Sequence, residues 1–189
     1  MEKSKASDQV SAGMVTNRSG SDGAAAGGVY TVTCVAPDGT IKWTDTFHNL
    51  VVNEGLQDMN DKYFKASGYS AAWYLGLVNG PGSGTSFAAG DTLAIHAGWT
   101  ENTNYTGNRK AVTFGTPTLA DPSVISNSAS PSVFAITSSG GTVAGAFLAN
   151  VDTGTSGILF SEGDFTGGDK IVASGDTLNV TYTFNADAA

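Results

Sequence analysis

Short apolar runs of alternating pattern, separated by glycine-rich and polar turns, most strongly restrict the fold of this chain. Apolar and polar residues alternate over residues 29–35, 41–47 and 177–184, which is the period of a half-buried β-strand. Other strand-length runs occupy residues 71–78, 110–114, 133–137, 142–148 and 157–160. Turn signals recur about every eight to twelve residues. The pattern therefore predicts an all-β fold, a β-sandwich or jelly roll of about eight to ten strands.

One segment departs from this pattern: FHNLVVNEGLQDMNDKYF, residues 47–64. Asn53 is a candidate N-cap, because its side chain can accept a hydrogen bond from a free backbone N–H. Glu54 follows in the first turn, where the helix dipole favours an acid. An apolar stripe at helical spacing is formed by Leu56, Met59, Tyr63 and Phe64. We predict one short α-helix near residues 53–66, with this stripe facing inward to cover an open end or face of the sandwich.

Composition divides the chain of 189 residues into an arm and one domain. Residues 1–27 are mostly Ser, Gly, Ala and charged residues, which bury too little apolar surface to offset the entropy of ordering. We predict a flexible N-terminal arm over residues 1–27 that becomes ordered against a neighbour. Residues 28–189 are predicted to form a single β-sandwich domain.

Charge and targeting signals limit the partners and the compartment. The net charge is −8 and the isoelectric point is near 4.4, which argues against nucleic acid and anionic membranes as partners. The N-terminus has no apolar run of signal-peptide length, and no window approaches a transmembrane span. We therefore expect synthesis in a cytoplasm, without a signal peptide.

The chain offers few groups for nucleophilic chemistry. Its one cysteine, Cys34, follows the alternation of its strand and is predicted to be a buried thiol,. We interpret His48 as a capping or hydrogen-bonding residue near the helix start, and His96 as a structural residue in a turn. The sequence contains no G-x-S-x-G elbow and no phosphate-binding motif,. We predict that the protein is not an enzyme and that it has no catalytic, cofactor-binding or metal-binding residues.

Two other residue groups leave alternatives open. The stretch SEGDFTGGDKIVASGD places carboxylates among glycines, namely Glu162, Asp164, Asp169 and Asp176. Such carboxylates can surround Ca²⁺, although we interpret the stretch as a pair of solvated hairpin turns. Trp43 and Trp73 lie in apolar strand patterns and are predicted core residues. Trp99 lies between Gly98 and Thr100, and it is the candidate for an exposed aromatic that stacks on sugar rings.

The segment VYTVTCVAPDGTIKWTDTFHNLVVNEGLQDMNDKYF resembles the opening of a group of small tailed-phage virion proteins. In that group a hairpin with a Lys-Trp pair leads into an H-N-x-V-x-N-x-G-L helix start. Later pieces of the chain resemble the same group in the same order: AAWYLGLV, AIHAGWTE, NSASPSVFAI, GAFL and GDTLNVTYTF. The resemblance covers about residues 28–184. It implies a structural component of the virion and carries over no catalytic residue.

From the resemblance we expect a capsid decoration (cement) protein that binds the outside of the major capsid shell and stabilises it. Its partners would be the major capsid protein and neighbouring copies of itself, with the N-terminal arm as a contact and a homo-oligomer as the assembly. It would be made in the host cytoplasm and located in the virion. The alternative is a tail-associated or fibre-like adhesin domain that binds host surface glycans through exposed aromatics such as Trp99.

Overall fold

The computed structural model describes residues 24–69, 71–80, 85–137 and 139–188. These residues form twelve strands and one helix, α1 (Asn53–Phe64), which lies between β3 and β4. The strands are β1 (Ala24–Val35), β2 (Ile41–His48), β3 (Leu50–Val51), β4 (Tyr74–Gly80), β5 (Glu101–Asn102), β6 (Lys110–Ala111), β7 (Ser123–Ser126), β8 (Ser132–Ala135), β9 (Gly141–Ala149), β10 (Leu159–Asp164), β11 (Lys170–Val172) and β12 (Thr177–Ala188). The predicted all-β, sandwich-like fold is confirmed, although there are more strands than the predicted eight to ten.

The first sheet has the strand order β2-β1-β12-β7, and β8 also pairs with β12. β1 and β12 run antiparallel along their whole length, from Ala24 opposite Ala188 to Val35 opposite Thr177. The predicted hairpin of β1 and β2 is confirmed. Because side chains alternate across a strand, this sheet has one apolar face inside and one polar face outside. The outer face of β1 and β2 carries rows of threonine side chains, which are uncharged.

The second sheet has the strand order β3-β10-β9-β4-β5, with β11 paired to β9 and β6 paired to β4. Its central strands β4 and β9 are buried on both faces, as predicted from the continuous apolar run at residues 71–78. One face packs on the first sheet around Tyr30, Phe134 and Leu148. The opposite face holds a second apolar cluster with Phe147, to which Leu93 and Trp99 belong. Residues 85–100, called here the covering segment, therefore cover the second sheet as a third layer.

The N-terminal boundary differs from the prediction. Residues 24–27 belong to β1, where they pair with the last residues of β12, so the predicted arm over residues 1–27 is too long by these four. Strand pairing orders them despite their weak apolar content, because β12 supplies backbone partners along the full length of β1. Residues 1–23, the rest of the predicted arm, lie outside the described residues.

The helix exists where predicted, but its start and its inward side differ. Val52, not Asn53, is the N-cap, and it makes no side-chain capping bond. Val52 is fully buried in the second apolar cluster, so packing fixes the start. The Glu54 carboxylate accepts hydrogen bonds from the backbone N–H groups of Leu93 at 3.2 Å and Leu159 at 2.7 Å. This carboxylate ties the first turn of α1 to the covering segment and to β10.

Glycine, rather than the predicted apolar stripe, faces the sheet. Gly55 is the one buried residue of α1, and a Cβ at this position would lie 2.4 Å from the carbonyl oxygen of Phe160. Of the four stripe residues only Met59 packs on the core, while Leu56, Tyr63 and Phe64 are exposed. The helix approaches β10 through backbone contact near its start, so its aromatic end projects beyond the sheet.

Candidate interaction surface

An apolar groove of about 300 Å³ opens between the two sheets beside α1. Its walls come from both sheets, from α1 and from the segment that leads into β4. The lining residues are Met59, Tyr69, Ala71, Trp73, Phe114, Ile125, Leu148, Phe160, Tyr182 and Phe184. The predicted role of the helix as a cover is therefore only partly realised, because this end of the sandwich stays open. A concave apolar surface of this size is the usual form of a binding site.

Exposed aromatic residues of α1 and the following segment stand next to this groove. Tyr63 is 83% exposed, Phe64 77% and Tyr69 56%. The rings of Tyr63 and Phe64 contact each other edge to face, with their centroids 4.9 Å apart. A second concavity of about 350 Å³ is lined by Tyr63 and shares Met59, Tyr69 and Trp73 with the groove. Groove and exposed aromatics thus form one continuous surface, called here the aromatic surface.

The charges beside the aromatic surface balance one another. Asp58 and Lys62 are paired at 3.8 Å, as predicted from their spacing, and Asp61 and Lys65 are paired at 3.1 Å. These pairs lie on the helix surface and contribute little to stability. They make this side of α1 locally neutral in a chain whose net charge is −8. An exposed aromatic patch whose bordering charges cancel one another is typical of protein–protein contact sites.

A buried hydroxyl network supports the floor of the groove. The Tyr182 hydroxyl accepts a hydrogen bond of 2.9 Å from Asn49 Nδ2, and the Ser161 hydroxyl lies 3.4 Å from it. Ser161 in turn lies 2.7 Å from the Tyr30 hydroxyl. Burial, with the nearby Tyr182, raises the pKa of Tyr30 well above its ordinary value. Burial also raises the pKa of Tyr182, so both tyrosine hydroxyls stay neutral. The network fixes the position of Tyr182 at the floor of the groove.

Trp99 and Glu162 form a second notable cluster, in the layer that covers the second sheet. Trp99 is 5% exposed, and its Nε1 donates a hydrogen bond of 2.8 Å to Oε2 of the fully buried Glu162. The His96 ring stacks on Trp99 at a centroid distance of 3.8 Å, which confirms His96 as a structural turn residue. The prediction of an exposed Trp99 is wrong: the indole fills the gap between the covering segment and Phe147.

Burial dominates the electrostatics of this cluster. Burial, followed by the negative charge of Asp91, raises the pKa of Glu162 to about 8, against the lowering effect of the Trp99 hydrogen bond. Glu162 Oε1 has no hydrogen-bond partner among the described residues. Burial therefore favours the neutral form of this carboxyl group, which has no exposed surface.

Four other residues had predicted roles: Cys34, His48, Trp43 and Trp73. Cys34 is a buried strand thiol, as predicted, and burial raises its pKa to about 11. His48 is exposed at the end of β2, and it makes no side-chain hydrogen bond to the start of α1 among the described residues; its predicted capping role is wrong. Trp43 and Trp73 pack against the main core as predicted.

The calcium alternative for residues 162–176 has no support in the described part of the chain, where no group of three or more potential ligands converges. Three of the four carboxylates contact different neighbours instead. Glu162 meets Trp99, Asp164 accepts a hydrogen bond from Thr85 at 3.3 Å, and Asp176 pairs with Lys42 at 2.6 Å. The interpretation as solvated turns is also wrong for Glu162 and Asp176, both of which are buried.

The groove could not be predicted from the sequence. Its walls come from α1, β7, β9, β10, β12 and the segments before β4 and after β6, which are distant along the chain. The available signal was the apolar end of the helix, Tyr63-Phe64, which the helical pattern assigned to the core. Among the described residues no helix combines the length and apolarity needed to span a bilayer. Comparison with protein-family models, with curated proteins and with solved structures found no match.

Proposed function

We propose that this protein is a structural component of a tailed-phage virion, a capsid decoration protein that binds the outside of the major capsid shell and stabilises it. In this role its partners are the major capsid protein and neighbouring copies of itself. It is made in the host cytoplasm and located in the capsid. This proposed role consists of binding and requires no catalytic residue.

The observation that carries the proposal is the aromatic surface. A monomeric soluble domain rarely leaves Tyr63, Phe64 and Tyr69 exposed around an open apolar groove unless they contact a partner. The ordered sequence resemblance over about residues 28–184 supplies the class of assembly. On a symmetric shell, many such contacts act together through effective concentration, so each one can be weak.

The rival role is an adhesin that binds glycans, and Trp99, the residue named for it, is not exposed. Trp99 is buried under the covering segment and is hydrogen-bonded to Glu162, so its ring face is not available to a sugar. An adhesin would have to use the aromatic surface instead. The low positive charge of the chain, with nine Lys and Arg against seventeen Asp and Glu, likewise argues against a role on nucleic acid.

The test is the copy number of the protein in purified, salt-washed particles. Quantitative mass spectrometry against the major capsid protein is expected to give hundreds of copies per particle, consistent with a repeated shell lattice. A particle reconstruction should then place the domain on the outer shell surface. A handful of copies would favour the tail and the adhesin role. Absence from washed particles would contradict both virion roles.

A measurement of the thermal stability of the particles completes the test. Particles assembled without the protein are expected to release DNA at a lower temperature than complete particles, and adding back the purified protein should restore the difference. The matched control is addition of a variant that carries Tyr63→Ser and Phe64→Ser, which removes two exposed rings without touching the core. Equal thermal release with and without the protein would overturn the stabilising role.

A further inference from the structure

We propose that a proton on the buried Glu162 carboxyl holds the covering segment against the second sheet, and that loss of this proton opens the segment. The three residues of this contact are Glu162 of β10 and Asp91 and Trp99 of the covering segment, called here the carboxyl latch. Opening exposes the apolar side of the second sheet around Phe147. The inference concerns a pH-sensitive contact inside the domain and does not depend on the proposed virion role.

Glu162 lies at the boundary between the second sheet and the covering segment. It is opposite Phe147 of β9 in the antiparallel ladder, so the two side chains lie on the same face of the sheet. Glu162 is fully buried, and its Oε2 accepts the hydrogen bond of 2.8 Å from Trp99 Nε1. This carboxyl therefore contacts the covering segment without contact to solvent.

The second oxygen of the Glu162 carboxyl lacks a donor. Oε1 is buried and has no hydrogen-bond partner among the described residues, and no ion pair within the described part of the chain includes Glu162. A buried carboxylate with one donor and no counter-ion is costly, whereas a protonated carboxyl can donate a hydrogen bond itself. The geometry therefore favours a proton on Glu162 while the segment is closed.

Asp91 provides the acceptor for this proton. Its carboxyl makes a hydrogen bond with Glu162 that favours the protonated form of Glu162, and its negative charge acts in the same direction. A turn holds Asp91 in place: its Oδ2 accepts a hydrogen bond of 3.2 Å from the Ala88 N–H, and its own N–H donates to the Ala88 carbonyl at 2.9 Å. Without the proton, two negative charges would face each other at this contact.

The other titratable groups packed around the carboxyl latch are engaged elsewhere. They are Glu54 of α1, which accepts from Leu93 and Leu159; Asp164 of β10, which accepts from Thr85; His96, whose ring contacts the Trp99 carbonyl; and Arg109, which is paired with Glu101 and lies over the Phe147 ring. Within the described residues, the proton is therefore the one positive charge available to separate the two acids.

The direction of the pH effect follows from the proton balance. Burial, followed by the charge of Asp91, holds the pKa of Glu162 at about 8 in the closed protein, against an ordinary value of 4.5. Once the segment is open, water solvates the carboxyl, so between these two pH values opening releases one proton to the solvent. The equilibrium constant for opening should then rise about tenfold per pH unit in this range and level off above it.

The principal experiment is hydrogen exchange of the full chain, followed by NMR between about pH 5 and pH 9, the range over which the linkage acts. The reporter is the Trp99 indole N–H, which donates directly to Glu162. The backbone N–H groups of β1 and β12 are the reference for global unfolding. After correction for the intrinsic exchange rate, the indole should be less protected than the reference, and its protection should fall about tenfold per pH unit up to about pH 8.

Glu162→Gln tests the latch directly, because glutamine imitates the protonated carboxyl. Its oxygen can accept from Trp99 and its amide can donate to Asp91, so the protection of the indole should no longer depend on pH. Asp91→Asn keeps an oxygen for the Ala88 N–H but removes the charge, so NMR titration of the Glu162 carboxyl carbon should give a lower midpoint than in the parent. The control Asp61→Asn removes a surface acid of α1 and should change neither result.

Three outcomes would overturn the proposal. The first is a titration midpoint of Glu162 near the ordinary 4.5 in the parent. The second is an indole protection that does not change with pH, or that changes equally in Glu162→Gln. The third is equal protection of the indole and of the reference strands, which would mean that only global unfolding releases the proton. All three are measured on the isolated protein, so the copy-number test of the virion role can fail or succeed independently.

Discussion

The indole Nε1 of Trp99, in the covering segment, donates a hydrogen bond of 2.8 Å to Oε2 of Glu162 in β10. Both residues are buried. The bond joins the covering layer to β10 of the second sheet, beside an apolar cluster to which Trp99 belongs. It helps to hold in place a turn-rich segment that the Glu54 and Asp164 contacts and the apolar cluster also attach to the sheet.

Replacing Trp99 by Phe should lower the free energy of unfolding by about 1–3 kcal/mol, because Glu162 loses its donor while it stays buried. Urea unfolding measures this change. Replacing both partners, Trp99→Phe with Glu162→Leu, should cost less than the sum of the single changes, since two apolar groups need no partner. Additive effects in this double-mutant cycle would show that the hydrogen bond contributes nothing.

The pH dependence of stability should carry the signature of Glu162. Its folded-state pKa of about 8 lies above the ordinary value of 4.5, so the folded state binds this proton more tightly than the unfolded state. The stability that comes from the neutral carboxyl is complete below about pH 4.5 and is lost as the pH rises through about 8. The charged group that opposes ionisation is Asp91.

Glu162→Gln should therefore flatten this part of the profile. The glutamine side chain keeps an acceptor for Trp99 and cannot ionise, so the variant is expected to equal the parent near pH 4.5 and to exceed it by about 1–3 kcal/mol at pH 8.5, the scale of an uncompensated buried polar group. Urea titrations at several pH values provide the measurement. Parallel profiles for parent and variant would contradict the prediction.

Gly55→Ala should destabilise the protein although alanine favours helices. The added Cβ would lie 2.4 Å from the Phe160 carbonyl oxygen, so α1 must move away from β10 and weaken the Glu54 contacts. We expect a loss of about 1–3 kcal/mol. The control Gln57→Ala, on the exposed side of the same helix, should be neutral or slightly stabilising. A stabilising Gly55→Ala change would mean that the helix does not pack this closely.

Asp45 should contribute to stability chiefly at neutral pH. This buried carboxylate accepts hydrogen bonds from Thr166 and Gly167 and pairs with Lys170 at 3.3 Å. Burial alone would raise its pKa, but the Thr166, Lys170 and Gly167 contacts outweigh burial and hold it below the ordinary 3.8. Asp45→Ala should cost about 2–3 kcal/mol at pH 7.

The same variant should cost less in acid, because the contribution of a carboxylate with a lowered pKa is present above its unfolded pKa and is lost as the pH falls through the folded one. Chemical unfolding at neutral and at acidic pH measures both values. Thr46→Ala, a change on the exposed side of β2, is the control and should show no such trend. An equal loss at both pH values would assign the effect of Asp45 to packing.

The long strands could be predicted because their burial repeats with the period of the backbone. The alternation in β1, β2 and β12 follows directly from one buried face. The shortest strands could not be predicted. β3, β5 and β6 have two residues each, and they exist because a neighbouring strand offers free backbone groups, which depends on the tertiary arrangement.

The side of α1 that faces the sheet could not be predicted for a related reason. A hydrophobic pattern assigns the inward side to the residues with the largest apolar side chains, here Tyr63 and Phe64. The contact is made by Gly55, which has no side chain and leaves no signal in such a pattern. The same limit hid Glu162, since its burial depends on a partner, Trp99, that lies far away in the sequence.

The pairing of β1 with β12 has a consequence for the order in which the protein forms. Ala24 is opposite Ala188, so the first sheet closes only after nearly all of the residues between them have been synthesised. Until then the inward side of the β1–β2 hairpin, with Tyr30 and Phe47, has no strand beside it. Contacts of such long sequence separation make folding slow. The β1–β2 hairpin should therefore require protection in the nascent chain until residues 177–188 have been synthesised.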